Sequence, residues 1–351
     1  MILHNKPSLD TADYTAITEV AQSGWIAPGK KVCEFETLLS AYLSPQGRAV
    51  AVDSGTAAIH LSLLALGVKR GDQVILPTYV CSAVLNAVRY TGADPVLADI
   101  GSTDFNISFH DVERKITQKT AALIIPHMYG IPANISDFVT LGLPIIEDCA
   151  QSIGSEIQGK KTGTIGDIAI FSFYATKLLT TGKGGAIYSK NSEYIDFIQD
   201  LVNFDCRAEY KTRFNYRMSD LQAALGVSQI KKLDRFILRR KLIAEKYSAV
   251  LKDKPNVKVF PVPKTKKSAF YRYVIISDKK PKSVIQEFAS KGISVINPLE
   301  QWELLHNYLN LDARDFSSAE TIARSTISIP IYPSLTDVDI EIIEKAIDTI
   351  Y

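Results

Sequence analysis

Ile168-Ala169-Ile170-Phe171-Ser172-Phe173-Tyr174-Ala175-Thr176-Lys177 reads as a buried strand that delivers an aromatic-flanked lysine to its carboxyl end. The run Ile168–Ser172 is apolar almost throughout, so both faces of that strand need cover. The flexible Thr180-Thr181-Gly182-Lys183-Gly184-Gly185 follows. An amine ringed by apolar groups loses proton affinity, which suits a Schiff-base nucleophile. The plainer reading is a snorkelling surface lysine, the commoner fate of this side chain.

Working outward, similar short apolar runs recur at Arg48–Val52, Gln73–Leu76, Pro95–Ala98, Ala121–Pro126, Pro144–Glu147 and Ala186–Ser189. Amphipathic stretches such as Ala57–Leu66 and Ser82–Tyr90 separate the first of them. Strands apolar on both faces and divided by helices predict an α/β fold with a mostly parallel seven-stranded sheet. From Ser219 to about Asp253 the chain holds no proline and many good helix formers, enough for one or two helices leading out of that sheet domain. Past Pro255, Pro261 and Pro263, the segments Tyr271–Ser277, Lys282–Lys291, Ile293–Ile296 and Asp337–Ile350 suggest a small α+β domain. The expected division is a large domain over 1–235 and a small one over 236–351.

A chain of 351 residues exceeds what one core usually organises, which agrees with two domains. With 46% hydrophobic and 22% charged residues, it is neither disordered nor fibrous. The 40 Lys and Arg nearly cancel the 38 Asp and Glu, so no charge excess points to nucleic acid. No apolar run approaches the ~18 residues of a membrane span, and Met1-Ile-Leu-His-Asn-Lys-Pro7 lacks the pattern of a signal peptide, so a cytoplasmic location is expected. Cys33, Cys81, Cys149 and Cys206 form no CxxC pair, and the histidines show no ligand spacing; neither a disulfide framework nor a metal centre is expected.

Two further segments carry possible chemistry. In Asp53-Ser54-Gly55-Thr56-Ala57-Ala58, between a strand and a helix, glycine admits a ligand to the backbone. Thr56 and the free helix N–H groups offer hydrogen bonds to an anion, although for this segment alone an ordinary N-cap by Ser54 or Thr56 is the better reading. Ile145-Ile146-Glu147-Asp148 ends a buried strand in two carboxylates, at the edge where parallel sheets bind ligands. A buried Asp there must meet a cation or cap a helix. Taken in order, an anion cradle, a strand-end Asp and a strand-end Lys make the constellation that pyridoxal phosphate requires. The lysine bonds the cofactor, the carboxylate keeps the pyridine nitrogen protonated, and the helix terminus holds the phosphate.

The sequence resembles the DegT/StrS sugar aminotransferases nearly end to end. The matching segments include Gly24-Trp25-Ile26, Phe35-Glu36, Ser54-Gly55-Thr56-Ala57-Ala58, Gly71-Asp72-Gln73-Val74-Ile75-Leu76-Pro77, Gly92-Ala93-Asp94-Pro95-Val96, His127-Met128-Tyr129-Gly130, Glu147-Asp148-Cys149-Ala150-Gln151, Phe171-Ser172-Phe173-Tyr174 with Lys177, Asn215-Tyr216-Arg217-Met218 and Ser328-Ile329-Pro330. The resemblance implies a fold-type-I transferase, a homodimer with the active site shared between subunits. It implies pyridoxal 5'-phosphate as cofactor, present as pyridoxamine 5'-phosphate between half-reactions. Lys177 matches the lysine that bonds the cofactor and moves the proton. Asp148 matches the pyridinium partner, and Gln151 the residue near the phenolic oxygen. Gly55, Thr56 and Ser172 match phosphate contacts, and Asn215 the asparagine reaching the phosphate from the other subunit. Trp25, His127 and Arg217 fall on the substrate side. The implied reaction moves an amino group from an amino acid, plausibly L-glutamate, to a keto-sugar nucleotide.

Two segments depart from the family pattern. Relatives carry Pro-x-x-Thr and then an aromatic that stacks on the pyridine ring, whereas here Pro77-Thr78-Tyr79-Val80-Cys81 places Val80 and Cys81 at those positions. Tyr79 reaching the ring, or Cys81 packing against it, are the two expectations. The usual Tyr-x-Pro-Leu-His appears as Asn297-Pro298-Leu299-Glu300 after Ile296, so the sugar does not carry over. Rival readings are a pyridoxamine-phosphate-dependent sugar dehydratase, whose family members replace the lysine by histidine, and a cofactor-binding regulator, which would call for a DNA-binding module or basic patch.

Overall fold

The computed structural model describes all residues, Met1–Tyr351. In chain order the strands are β1 Arg48–Val52, β2 Gln73–Pro77, β3 Asp94–Ala98, β4 Thr120–Pro126, β5 Ile145–Asp148, β6 Glu156–Ile157, β7 Lys160–Lys161, β8 Ile168–Ser172, β9 Gly185–Ser189, β10 Val257–Lys258, β11 Lys266–Lys267, β12 Tyr273–Ser277 and β13 Thr326–Ile329. The helices are α1 Thr11–Ser23, α2 Lys30–Leu43, α3 Gly55–Ala65, α4 Ser82–Thr91, α5 Phe109–Lys115, α6 Ile135–Val139, α7 Ser192–Val202, α8 Asp220–Ile230, α9 Leu233–Leu251, α10 Pro281–Ser290, α11 Leu305–Tyr308, α12 Ser317–Ser325 and α13 Asp337–Ile350.

The seven strands expected from the apolar runs are all present, each to within one residue at either end. They pair as one sheet in the order β1-β9-β8-β5-β4-β2-β3. β9 alone runs against its neighbours β1 and β8; the other pairs are parallel. Strand side chains alternate between two covers. Val74, Leu76, Ile168 and Ile170 pack into one core with α3 and α4, while Ile75 and Leu123 face another beneath α5 and α6. Every residue of α3 from Ala57 to Leu63 is buried, His60 and Ser62 included, so this helix is covered on all sides and packs mainly on β8 and β9. Each Leu or Ile sealed in this way contributes about 1.5–3 kcal/mol.

A separate core gathers Tyr247 from α9, Ile275 from β12, Phe288 from α10, Ile327 from β13 and Ile347 from α13. The helical run after Ser219 is two helices, broken at Lys231 and Lys232. Ile293–Ile296 forms no strand of its own. Its ends make isolated bridges to different partners, Ile293 to Ile2 and Ile296 to Ser328. β12 instead pairs with β13, antiparallel from Tyr273↔Ile329 to Ile276↔Thr326. No helix is long and apolar enough to cross a membrane.

Candidate active site

Because β1, β2, β4, β5 and β8 run the same way, their carboxyl ends share one edge of the sheet. β9 starts there too, with Gly185 opposite both Val52 and Ser172. At this edge Ser54 caps α3, its Oγ accepting from the Ala57 N–H at 3.2 Å. The N–H groups of Gly55 and Thr56 in the first turn have no intrahelical acceptor. A Cβ on Gly55 would lie 3.0 Å from the Ser172 Cβ, and one on Gly185 would lie 2.5 Å from the Ser54 carbonyl. The close approach therefore sets the Ser172 hydroxyl beside the helix N-terminus, an arrangement suited to an anion.

Asp148 ends β5, one strand over. Its Oδ1 accepts from the Ala150 N–H at 2.9 Å, and no group of the chain donates to the other oxygen. Burial raises its pKa against the opposing effects of that N–H and of Lys177. A carboxylate so placed calls for a cationic donor on its open side. Lys177 follows β8 in a turn closed by its own N–H donating to the Tyr174 carbonyl at 2.9 Å. Its charge is felt at both Asp148 and Cys81. Cys81 precedes α4, open to solvent within the recess, and desolvation there, with Asp148, pushes its thiol up against the pull of Lys177. Gln151 spends its Oε1 on the Tyr129 N–H at 2.8 Å and keeps its amide N–H groups free.

Two expectations about the site are corrected. Tyr79 does not reach the recess. Its side chain is fully buried, its hydroxyl pairs with that of Tyr129 at 2.9 Å, and its ring stacks on Phe105 at 6.5 Å. Burial pushes this phenol up to about 12. The cause lies one residue back. Thr78 is tied down by His306, whose Nδ1 is 2.8 Å from the Thr78 Oγ1, so the chain turns Tyr79 inward and Cys81 outward. His127 is likewise sealed off from substrate. Its Nδ1 accepts from the Ala133 N–H at 2.9 Å, which leaves the proton on Nε2 to meet Glu147 at 3.0 Å. Glu147 also accepts from the N–H groups of Gly163, Ile165 and Gly166. The triad of His127, Glu147 and Cys149 has ligand atoms within 4.8 Å of one another. A metal ion there would have to displace those bonds, so the geometry reads as a brace under β4 and β5.

Asn215 and Arg217 are exposed; Tyr216 between them accepts from the Asp53 N–H at 2.8 Å. Trp25 is 63% exposed and sits against Gly29 in a cleft of about 470 Å³ that includes Lys30 and Asp220. Another cleft, of about 770 Å³, lies in the C-terminal part among Lys280, Glu300, Trp302 and Arg324. Neither includes Lys177. The sequence reading missed Tyr271, whose ring centroid lies 4.9 Å from the Lys177 Nζ. Ninety-four positions separate the two, and no spacing rule links them.

A family model for the DegT/DnrJ/EryC1/StrS aminotransferase family matches residues 7–348. The chain is 37% identical over 287 residues to the GDP-perosamine synthase of Vibrio cholerae, covering 79% of this chain and 77% of that protein. It is 32% identical to the GDP-perosamine synthase of Escherichia coli O157:H7, covering 99% and 97%. Among solved structures, a Streptococcus pneumoniae protein described as a sugar aminotransferase, in its PMP form, superposes with a TM-score of 0.93 at 26% identity, covering 100% and 99%.

Proposed function

Since the chain belongs to the DegT/DnrJ/EryC1/StrS aminotransferase family, we propose that it moves an amino group from L-glutamate to the carbonyl carbon of a keto-sugar nucleotide, for amino-sugar and surface-polysaccharide biosynthesis. The observation that carries this reading is a buried Asp148 with one oxygen free at the end of β5, on the strand next to β8, which carries Ser172 against the α3 N-terminus and leads to Lys177. Pyridoxal 5'-phosphate, the cofactor, supplies the electron sink and the carbon that carries nitrogen between the two substrates.

The residues fit that group. Gly55, Thr56 and Ser172 hold its phosphate, and the open oxygen of Asp148 accepts from its ring N–H and keeps the nitrogen cationic. The free N–H groups of Gln151 would donate to its phenolic oxygen. Cys81 stands where relatives have an aromatic and would cover the ring by contact without stacking. Lys177 tethers the cofactor through Nζ. Once displaced, the same amine takes the proton from the donor's α-carbon and returns one to the sugar carbon, so one base serves both directions. A homodimer completes the site, with Asn215 and Arg217 of one subunit approaching the other. The exposure of both, and of Trp25, supports this arrangement.

The test mixes purified protein, cofactor and L-glutamate with GDP-, dTDP-, UDP- and CDP-linked keto sugars. The expected result is an amino-sugar nucleotide and 2-oxoglutarate in equal amounts, first with a GDP-linked sugar, since two relatives are named GDP-perosamine synthase. Sugar consumed without nitrogen uptake would mean a dehydratase. Cofactor binding without turnover of any of the four would favour a regulator.

A further inference from the structure

Tyr271 lies two residues ahead of β12, and its ring is 4% exposed. Two cations flank it, the Lys177 ammonium at 4.9 Å and the Arg272 guanidinium at 5.3 Å from the ring centroid. Its hydroxyl is 3.5 Å from the Thr176 Oγ1, one residue before the lysine. The backbone on both sides is held. The buried Arg240 of α9 donates through Nη1 to the carbonyls of Phe270, Tyr271 and Ile331 at 3.2, 3.2 and 2.6 Å. From the N-terminal segment, Asn5 donates through Nδ2 to the Thr176 carbonyl at 3.0 Å. Arg272 is backed by the neutral ring of His4 at 3.2 Å. Lys177, Arg240 and Arg272 make no salt bridge, so three cations surround one hydroxyl with no carboxylate pairing any of them.

We propose that Tyr271 is a positioning residue for Lys177: its ring fixes Nζ in the recess, and its hydroxyl, beside Thr176, modulates the reactivity of the amine. This rests on Lys177 being the reacting amine. A cation is stabilised over an aromatic face, and an ionised phenol beside it holds the ammonium proton more tightly still. Burial resists ionisation of Tyr271, yet Lys177, Arg272, Thr176 and Arg240 together outweigh it and bring the phenol down to about 8. Of the other groups around the recess, Asp148 and Cys81 flank Lys177, and the Tyr129 phenol, pushed up by burial, stays neutral. An ionised Tyr271 phenol adds a negative charge beside the Lys177 ammonium, and the interaction is reciprocal: removing either group is felt at the other.

The test uses apoprotein of the wild type, Tyr271→Phe and Lys177→Met. Trinitrobenzenesulfonate labelling from neutral to alkaline pH is read by peptide mass spectrometry at Lys177, with the exposed Lys69 as control for folding. Above the phenol midpoint, Tyr271→Phe should label Lys177 roughly threefold faster or more, with Lys69 unchanged. Independently, the phenolate absorbance change near about pH 8 should vanish in Tyr271→Phe and move to higher pH in Lys177→Met. In the loaded enzyme, the kcat/KM profile of Tyr271→Phe should shift along the pH axis more than it falls in height. A Lys177 labelling profile that overlays the wild type's, or a phenol titration unmoved in Lys177→Met, overturns the proposal. Amino transfer persisting in Lys177→Ala would instead overturn the functional reading and leave the Tyr271 coupling standing.

Discussion

Lys177 is half-buried at the end of a turn, and its aliphatic stem fills no core, so its role is testable apart from the fold. Lys177→Ala should abolish amino transfer while changing unfolding stability by no more than about 0.5 kcal/mol. Thermal unfolding beside a glutamate-to-oxoglutarate assay checks both. Asp148→Asn should still bind cofactor but slow proton abstraction by about a hundredfold or more, because the ring nitrogen loses its anionic partner; single-turnover kinetics with L-glutamate measure it. Glu36 offers a pH prediction. Burial raises its carboxyl from 4.5 to about 7 despite the Ala51 N–H and Arg217. A raised acid is harmless while protonated and costs stability as pH climbs through the window between those values. Glu36→Gln keeps an acceptor for the Ala51 N–H, so it should stabilise the protein by about 1–3 kcal/mol at pH 8 and hardly at all at pH 4. Equal gains at both pH values would contradict this. At this scale Lys177 and Asp148 stand out as candidates in the sequence because strand-end polar residues break an apolar run. The sequence reading misplaced Tyr79, because the contact of Thr78 with His306 that turns the loop spans 228 positions.

At the scale of elements, the seven sheet strands could be read almost to the residue, since a strand covered on both faces announces itself as an unbroken apolar run. The two-residue strands β6, β7, β10 and β11 carry no such signal: they are mostly charged or half-exposed and owe their pairing to neighbours. β13 was missed because Thr326-Ile327-Ser328-Ile329 alternates, and its Thr and Ser are buried as well. The element contact that matters most for function is the start of β9 pressed on the N-terminus of α3. A methyl group at Gly185 has only 2.5 Å to the Ser54 carbonyl, so Gly185→Ala must push the helix end away. We expect a loss of about 1–3 kcal/mol in stability and a tenfold or greater weakening of cofactor binding, read by thermal unfolding and by equilibrium dialysis. Unchanged cofactor affinity would mean that this helix end is not the phosphate site.

Across the whole molecule, the recess at Lys177 is assembled from parts that are remote in sequence: the sheet edge, the N-terminal segment through Asn5, and the start of β12 through Tyr271. The sheet supplies the residues that were legible; the other two contributions rest on contacts between segments remote in the chain, Asn5 with Thr176 and Tyr271 with Lys177, which no local pattern encodes. Asn215, Arg217 and Trp25 remain exposed in a single chain, and a dimer gives them a role. Sedimentation velocity should therefore show a dimer. Asn215→Ala should remain dimeric yet bind cofactor less tightly, whereas a monomer with full activity would contradict the shared site. The most direct measurement of the central claim is the visible absorption spectrum of the purified protein with pyridoxal phosphate, before and after L-glutamate without any sugar, in wild type and Lys177→Ala. The account predicts a lysine-bound cofactor band in wild type alone, bleached by L-glutamate as 2-oxoglutarate forms in equal amount. The same band in Lys177→Ala, or its absence from wild type, would contradict the assignment of Lys177 as the reacting amine.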